Sequence, residues 1–145
     1  ASIVATNEGT ISLSNNGDMY SWGMQTYGEL AHEPSMLDTP TKVTTVSNIV
    51  AFACGSNHTV CLDADGNIFT CGDGRFGQLG FGVIDNPFYC TNTLEKVKIP
   101  TIKQVSCGLN FTVCLADNGD LYSFGCNDCG QLGLGNTENY FSPKK

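Results

Sequence analysis

Residues 54–62 read CGSNHTVCL, and residues 107–115 repeat the same pattern as CGLNFTVCL. A second segment recurs at the same shift of 53 residues, because GNIFTCG at 66–72 returns as GDLYSFG at 119–125. A third copy of this segment, GDMYSWG at 17–23, lies 49 residues upstream of the second. A unit that recurs in one register over this many positions is typical of a repeat architecture.

Beyond these segments the copies stay in register. FGQLGFG at 76–82 aligns with CGQLGLG at 129–135, while the first copy keeps only YGEL at 27–30. The first copy is therefore the divergent one, and two close copies follow it. The repeat divides the chain into three consecutive units, the last expected to be truncated at its C-terminal end: 1–48, 49–101 and 102–145.

Within each copy the apolar residues recur with a period of two. Val60 and Leu62 alternate with Thr59 and Cys61. This alternation predicts a half-buried strand. The segment DADG at 63–66 follows, and an Asp-rich turn that ends in glycine suits a tight hairpin, because glycine adopts a positive φ at little cost. The sequence shows no helical period.

Two further strands are predicted in each copy. A fourth segment that follows a proline is expected at 40–43, and 94–99 would occupy the same place. Residues 142–145 match 39–42, so the chain is expected to stop just before the residue equivalent to Val43, where the last strand of its third copy should start. We therefore predict an all-β chain of antiparallel four-stranded units of about 50 residues, the size of a propeller blade. The strands that precede the hairpins are expected at 2–5, 49–54 and 102–107.

The segments CG-x-NHT-xx-L, DG-x-(aromatic)-x-x-G and GQLG-x-G of the second and third copies resemble the RCC1-type repeat, named for the regulator of chromosome condensation. The likeness covers the whole chain and is strongest in 49–145. It implies a seven-bladed β-propeller of four-stranded blades, of which about three are present. Three blades cannot close such a ring, so we expect a fragment with two open faces that is marginally stable or self-associates.

The same resemblance implies a protein-interaction module. In its more specific form the function is guanine-nucleotide exchange on a Ran-like or other small GTPase, which requires no covalent chemistry. The alternative is a non-catalytic scaffold propeller attached to an enzymatic or membrane-traffic domain outside this segment. No loop residue matches an exchange motif, and we predict that the chain is not itself an enzyme.

Charge and hydropathy limit the classes of partner. The net charge is −7, and the seven basic residues are scattered along the chain. Because counterion release favours clustered Lys and Arg, we expect neither direct nucleic-acid binding nor attraction to an anionic membrane. An acidic surface suits a basic protein partner, although it also serves solubility alone. With no membrane-spanning apolar run and no signal peptide, we expect an intracellular protein of the cytoplasm or nucleus.

Eight cysteines are many for 145 residues. Cys54 and Cys107 share one position of the repeat. Cys61 and Cys114 share another, and a small buried thiol packs well at such positions. We therefore expect structural free thiols, with disulfides as the alternative. The C-x-x-C at 126–129 lacks the further ligands that a zinc site needs, so neither a metal nor a cofactor is expected.

The remaining reactive side chains do not form a catalytic motif. His32 and His58 do not form a relay with any serine, and the position of His58 is occupied by Phe111 in the third copy, which predicts a packing role. The Asp residues near the hairpins favour the turns themselves. No small-molecule substrate is expected.

One insertion is a candidate contact site. Residues 83–94 lengthen the second copy relative to the first, and they contain Pro87, Phe88 and Tyr89. This aromatic tip is the predicted partner-contact loop. The alternative is that the loop packs on its own blade.

Overall fold

A computed structural model describes residues 1–33 and 35–145 of the chain. The described residues form twelve strands in three antiparallel four-stranded sheets, so the predicted all-β fold of four-stranded units is confirmed. Among them there is no helix long and apolar enough to cross a membrane. The strands are β1 Ser2–Ala5, β2 Gly9–Leu13, β3 Met19–Met24, β4 Met36–Lys42, β5 Ile49–Cys54, β6 His58–Asp63, β7 Ile68–Asp73, β8 Cys90–Lys96, β9 Ile102–Cys107, β10 Phe111–Ala116, β11 Leu121–Gly125 and β12 Tyr140–Lys144.

Each sheet is a simple meander in which consecutive strands are neighbours. The first sheet comprises β1 to β4, the second β5 to β8, and the third β9 to β12. The hairpin glycines Gly17, Gly66 and Gly119 have φ of 79°, 82° and 90°, which confirms the positive φ predicted from the turn sequence. All β2–β3, β6–β7 and β10–β11 hairpins therefore lie at one end of the sheets, which we call the hairpin end.

The middle sheet departs from the predicted half-buried pattern. Residues 58–62 of β6 are buried at every position, including both Thr59 and Val60 at 0% exposure. The prediction was wrong because a neighbouring sheet covers each face of β6, and period-two alternation reports burial only where one face is open. In β10 of the third sheet, buried and half-buried residues do alternate.

The fourth strands lie earlier than predicted. They include the prolines, since β4 ends at Lys42 and β12 extends through Pro143, and the third sheet has the strand that it was expected to lack. Both strands are outermost in their sheets. An outermost strand tolerates proline because one of its edges has no neighbour that needs the missing N–H. The β3–β4 and β11–β12 ladders also change register, so the pairing is interrupted near each proline.

Apolar side chains fill the spaces between adjacent sheets. We call each of these spaces a seam. The first seam, between the first and second sheets, contains Ile11, Leu30 and Cys71. A separate cluster of apolar side chains fills the second seam, between the second sheet and the third. Leu121 of the third sheet is 61% exposed, whereas Ile68 at the same position of the second sheet is fully buried. The far face of the third sheet is thus uncovered within the described residues, as predicted for an open blade face.

Candidate protein-binding face

The glycine-rich segments after β3, β7 and β11 are turns held by one recurring hydrogen bond. Phe76 N donates to Gln78 Oε1 at 2.9 Å, and Cys129 N donates to Gln131 Oε1 at 2.9 Å. The divergent first copy makes the same contact with a carboxylate, since Glu29 Oε2 accepts from a backbone N–H two residues earlier. The glutamine or glutamate of this motif therefore shapes a loop.

These loops touch the next sheet of the array. Gly77 has a φ of 89°, and a Cβ placed there would lie 2.5 Å from Tyr140 O of β12. Gly28 meets β8 in the same way, with Thr91 O at 2.5 Å. Only glycine allows this backbone approach at a positive φ. The loops consequently fix the position of each sheet against its neighbour.

Threonine hydroxyls close the seams from the opposite side. Thr59 Oγ1 donates to Glu29 O at 2.7 Å, and Thr112 Oγ1 donates to Gln78 O at 2.9 Å. Both threonines are fully buried. The threonine of the NHT or NFT motif therefore donates a hydrogen bond to a backbone carbonyl group of the preceding loop.

His58 lies in the second seam. Its Nε2 is 3.0 Å from Thr112 Oγ1. Because the single hydroxyl proton of Thr112 is donated to Gln78 O, Nε2 of His58 must carry the proton of this bond. Burial lowers the pKa of His58 to about 4, against the opposing effect of the Asp73 carboxylate. The imidazole is thus a neutral packing group, consistent with the role predicted for it.

An ion pair with an aromatic partner spans the first seam. Arg75 Nε and Nη2 each donate to the Asp73 carboxylate at 2.9 Å, and the guanidinium carbon lies 4.6 Å from the centre of the Tyr27 ring. Asp73 is 1% exposed. The hydrogen bonds that Arg75 donates to the Asp73 carboxylate raise the pKa of Arg75. Sequence reasoning missed this group; its one signal was an acidic residue at a repeat position held by Met24 and Cys126 in the other copies.

All eight cysteines are free thiols, as predicted. Burial raises the pKa of Cys54 to about 11 and that of Cys114 to about 12. Burial also raises the pKa of Cys61 and Cys71. These thiols remain protonated at neutral pH, and a protonated thiol is a poor nucleophile and metal ligand.

The C-x-x-C segment behaves as a loop. Cys126 Sγ donates to Asp128 Oδ2 at 3.6 Å, and Cys129 is exposed. Over residues 1–33 and 35–145, no group of three or more His, Cys, Asp or Glu side chains is arranged to hold a metal ion.

The insertion after β7 projects apolar side chains into solvent. Val83 is 85% exposed and Phe88 is 76% exposed, and Pro87 beside it is exposed as well. Tyr89 differs, because its ring packs edge-on against Phe81 with the centroids 6.4 Å apart, and its carbonyl accepts a hydrogen bond from Gly74 N. Of the three predicted contact residues, Pro87 and Phe88 thus form the tip, while Tyr89 fixes the base.

A pocket opens beneath this insertion. It has a volume of 280 Å³ and lies between the insertion and the third sheet, with Ile84, Tyr89, Phe141 and Arg75 among its lining residues. Its wall is mostly apolar, with the Arg75 side chain at one side. A cavity of this size accommodates one large side chain of a partner.

The lysines are concentrated at one of the two ends of the sheets, whereas carboxylates lie at both ends. We call the end opposite the hairpins the loop end; it consists of 6–8, 25–33, 55–57, 74–89, 108–110 and 126–139. Arg75 is the single lysine or arginine in these ranges, and Asp73 already pairs with it. The six carboxylates of the loop end belong to Glu8, Glu29, Glu33, Asp85, Asp128 and Glu138. The six lysines all lie at or near the hairpin end: Lys42, Lys96, Lys98, Lys103, Lys144 and Lys145.

Lysines that are scattered along the sequence therefore lie together at or near the hairpin end of the folded array. The meander causes this, because the last residues of every fourth strand and the connections that follow them lie at the hairpin end. The loop end is left acidic around an exposed apolar insertion.

Three antiparallel sheets joined by equivalent loop contacts and threonine hydrogen bonds define a propeller-type array of β-sheet repeats. The sequence profile of the regulator of chromosome condensation (RCC1) repeat matches residues 16–62, 65–115 and 118–145, and a second profile of this repeat matches 49–78 and 102–131. The chain belongs to the RCC1 repeat family. Each complete match begins in the hairpin of one sheet and ends in the second strand of the next, so a repeat crosses a seam.

Individual relatives are larger proteins. The chain is 35% identical to the RCC2 homologue of Danio rerio over 86% of its own length and 26% of that protein. It is 32% identical to the E3 ubiquitin-protein ligase HERC2 of Mus musculus over 98% of its own length and 3% of that protein. The chain thus spans a small part of these relatives.

The fold is also that of a solved structure. The crystal structure of Prp20p from Saccharomyces cerevisiae, described together with its binding to Gsp1p and histones, superposes with a TM-score of 0.85. The identity is 21%, and the match covers 99% of this chain and 37% of Prp20p. At this identity the likeness shows the shared fold of the blades.

Proposed function

We propose that this chain is a protein-interaction module whose loop end binds a basic protein partner through the insertion at 83–89. The observation that carries the proposal is the exposed apolar tip, with Val83 and Phe88 standing in solvent beside a pocket. A large apolar side chain exposed to water is favourable to bury against a partner, and aromatic residues are enriched at the energetic centre of interfaces.

The charge distribution supports a basic partner. The loop end carries six carboxylates and one arginine, which is already paired with Asp73. Charge complementarity at the rim of an apolar centre accelerates association and selects the partner. The interaction is expected to weaken with rising salt concentration, because five of the six carboxylates are exposed and only Glu29 is buried in its loop.

In its finer form the proposal is guanine-nucleotide exchange on a Ran-like GTPase. Membership of the RCC1 family and the likeness to Prp20p, whose binding to Gsp1p has been examined, support it. Such exchange proceeds by binding and requires no covalent step by the propeller. The competing form is a scaffold propeller, supported by the presence of similar repeats within a ubiquitin ligase. In either form we place the protein in the cytoplasm or nucleus, where eight free thiols stay reduced.

Release of labelled GDP from Ran in the presence of the full-length polypeptide tests the exchange form. We expect acceleration, and we expect Phe88→Ala to reduce it by about tenfold or more, as for truncation of a central aromatic. Met36→Ala is the matched control, because Met36 is 57% exposed but lies on the outermost strand β4. No acceleration by the unmodified polypeptide would eliminate the exchange form.

Direct binding separates the contact site from the activity. The full-length polypeptide is immobilised, and Ran and core histones are passed over it at low and at physiological salt. The proposal requires that Ran or the core histones bind. It also requires that Phe88→Ala weakens that binding and that Met36→Ala leaves it unchanged. Equal affinity of the Phe88 and Met36 variants would show that the insertion is not the contact site.

A further inference from the structure

Two outermost strands carry the same short sequence. Residues 39–42 read TPTK in β4, and residues 142–145 read SPKK at the end of β12. The ladders place them at equivalent positions, because Thr41 pairs with Ser21 and Lys144 pairs with Ser123, the matching residue of the third sheet. Each strand thus presents a hydroxyl group, then a proline, then a lysine three residues after the hydroxyl.

Both hydroxyl residues are accessible. Thr39 and Ser142 are exposed, and their strands have a hydrogen-bonded neighbour on one side only. The pairing is also interrupted around them: in the third sheet it passes from Lys144 directly to Tyr140, so that residues 141–143 have no ladder partner. Segments with few backbone hydrogen bonds open locally at low cost. Ser142 can therefore enter the cleft of an enzyme without unfolding of the sheet.

The middle sheet shows that this position stays accessible when both neighbouring sheets are present. Thr93 of β8 occupies the equivalent site, lies in the same interruption of the ladder, and is exposed. Its next residue is Leu94 instead of proline. Thr93 is therefore an internal control that matches Ser142 in structure and lacks the proline.

Proline and lysine at these spacings have a definite chemical use. A proline has no N–H, so an enzyme pocket without an acceptor binds it and rejects residues whose N–H would remain unsatisfied. The residue before proline is held in an extended conformation, which suits binding in a substrate groove. Lys145 offers a positive charge on the same segment. Its ion pair with Asp120 is 2.8 Å long but exposed, so it exchanges readily for an acidic group of an enzyme.

We propose that Ser142 and Thr39 are phosphorylation sites for a proline-directed protein kinase that also selects a basic residue three positions after the hydroxyl. The hydroxyl oxygen attacks the γ-phosphorus of ATP and forms the O–P bond. The bond from that phosphorus to the β–γ bridging oxygen breaks, ADP leaves, and a kinase base takes the hydroxyl proton. At Ser142 the new dianion lies beside Gly82, whose added Cβ would be 3.7 Å from Ser142 Oγ, at the foot of the 83–89 insertion.

The full-length polypeptide is incubated with a purified cyclin-dependent kinase and ATP, and site occupancy is measured by mass spectrometry. We expect phosphate on Ser142 and Thr39 and none on Thr93. Pro143→Ala is expected to lower occupancy of Ser142 by about tenfold or more while Thr39 keeps its phosphate, which serves as the folding and enzyme control within the same molecule. Pro40→Ala is expected to give the reverse pattern.

Two results would overturn the proposal. If a synthetic peptide of residues 138–145 is phosphorylated but Ser142 of the folded polypeptide is not, the outer strand is closed to the enzyme. If Thr93 acquires as much phosphate as Ser142, or if Pro143→Ala has no effect, the proline does not select the site. Circular dichroism of the Pro143 variant verifies that the sheet is retained.

Discussion

Replacement of His58 by phenylalanine tests whether the buried imidazole in the second seam makes the stability of the fold depend on pH. The buried imidazole has a pKa of about 4, lowered by burial. In the unfolded chain it has a pKa of about 6.5. The unfolded state therefore binds the proton first as the pH falls, so His58 destabilises the fold progressively from about pH 6.5 down to about pH 4.

The magnitude follows from the two pKa values. Between pH 7.5 and pH 5 the unfolded state gains nearly a full proton at this site and the folded state gains about a tenth, which corresponds to a loss of about 2 kcal/mol. For a chain of this size that is roughly 4–8 °C in the melting temperature. Phenylalanine is the suitable replacement because the third copy already has it at this position. Phe111 packs against Gly108 there, as His58 packs against Gly55.

The assay compares melting temperatures of the two proteins at pH 7.5 and pH 5. His58→Phe removes the hydrogen bond to Thr112 at every pH, so that loss cancels when each protein is compared with itself. We expect the unmodified protein to lose about 2 kcal/mol more than the variant over this interval. Parallel pH profiles, or an NMR titration that places the His58 pKa near 6.5, would refute the burial argument.

Three further outcomes test the seams and the thiols. In the 145-residue chain, Gly77→Ala should destabilise by about 2 kcal/mol more than Gly130→Ala in urea unfolding, because both have positive φ but only Gly77 meets backbone of the next sheet. Thr112→Val should lower the free energy of unfolding by about 1–3 kcal/mol, measured by thermal melting, because it leaves the buried Gln78 carbonyl and the buried His58 N–H without a hydrogen-bond partner. A thiol reagent should label Cys90 and Cys129 within minutes and the buried cysteines only after denaturant is added; fast reaction of the buried thiols would contradict their raised pKa.

The features that recur in the sequence were predictable because they are local or repeated. The turn DADG requires a positive φ at Gly66, and the first strands at 49–54 and 102–107 were placed with their observed bounds. Repetition supplied the long-range part: three copies of one pattern must form three copies of one sheet, whatever the order in which the sheets pack.

The bounds of the fourth strands were predicted wrongly because each of these strands is outermost and pairs with a neighbouring strand on one side only. Proline at position 40 or 143 argues against a central strand, and it was used to mark a strand start. In an outermost strand with an interrupted ladder the proline sits inside the strand at no cost. The sequence pattern of β4 is also weak, since it is exposed at nearly every position.

Long-range groups without a repeat signal were missed as well. The Asp73, Arg75 and Tyr27 cluster joins side chains from two sheets, and none of the three residue types recurs at its position in another copy. The segregation of lysines to the hairpin end follows from the meander and cannot be read from spacing along the chain. Both features become visible only when the sheets are assembled.

The positions that the copies share and those at which they differ have separate tasks. Thr59 and Thr112 recur, and so does the loop glutamine at Gln78, and each of them makes a contact within or across a seam. Such residues hold the sheets together and carry no information about a partner. The 83–89 insertion occurs in one copy, makes few contacts beyond Tyr89, and exposes its apolar tip. The proposed function therefore assigns partner choice to the insertion, where the repeat is broken, whereas family membership fixes the fold; the Phe88→Ala binding experiment tests that assignment.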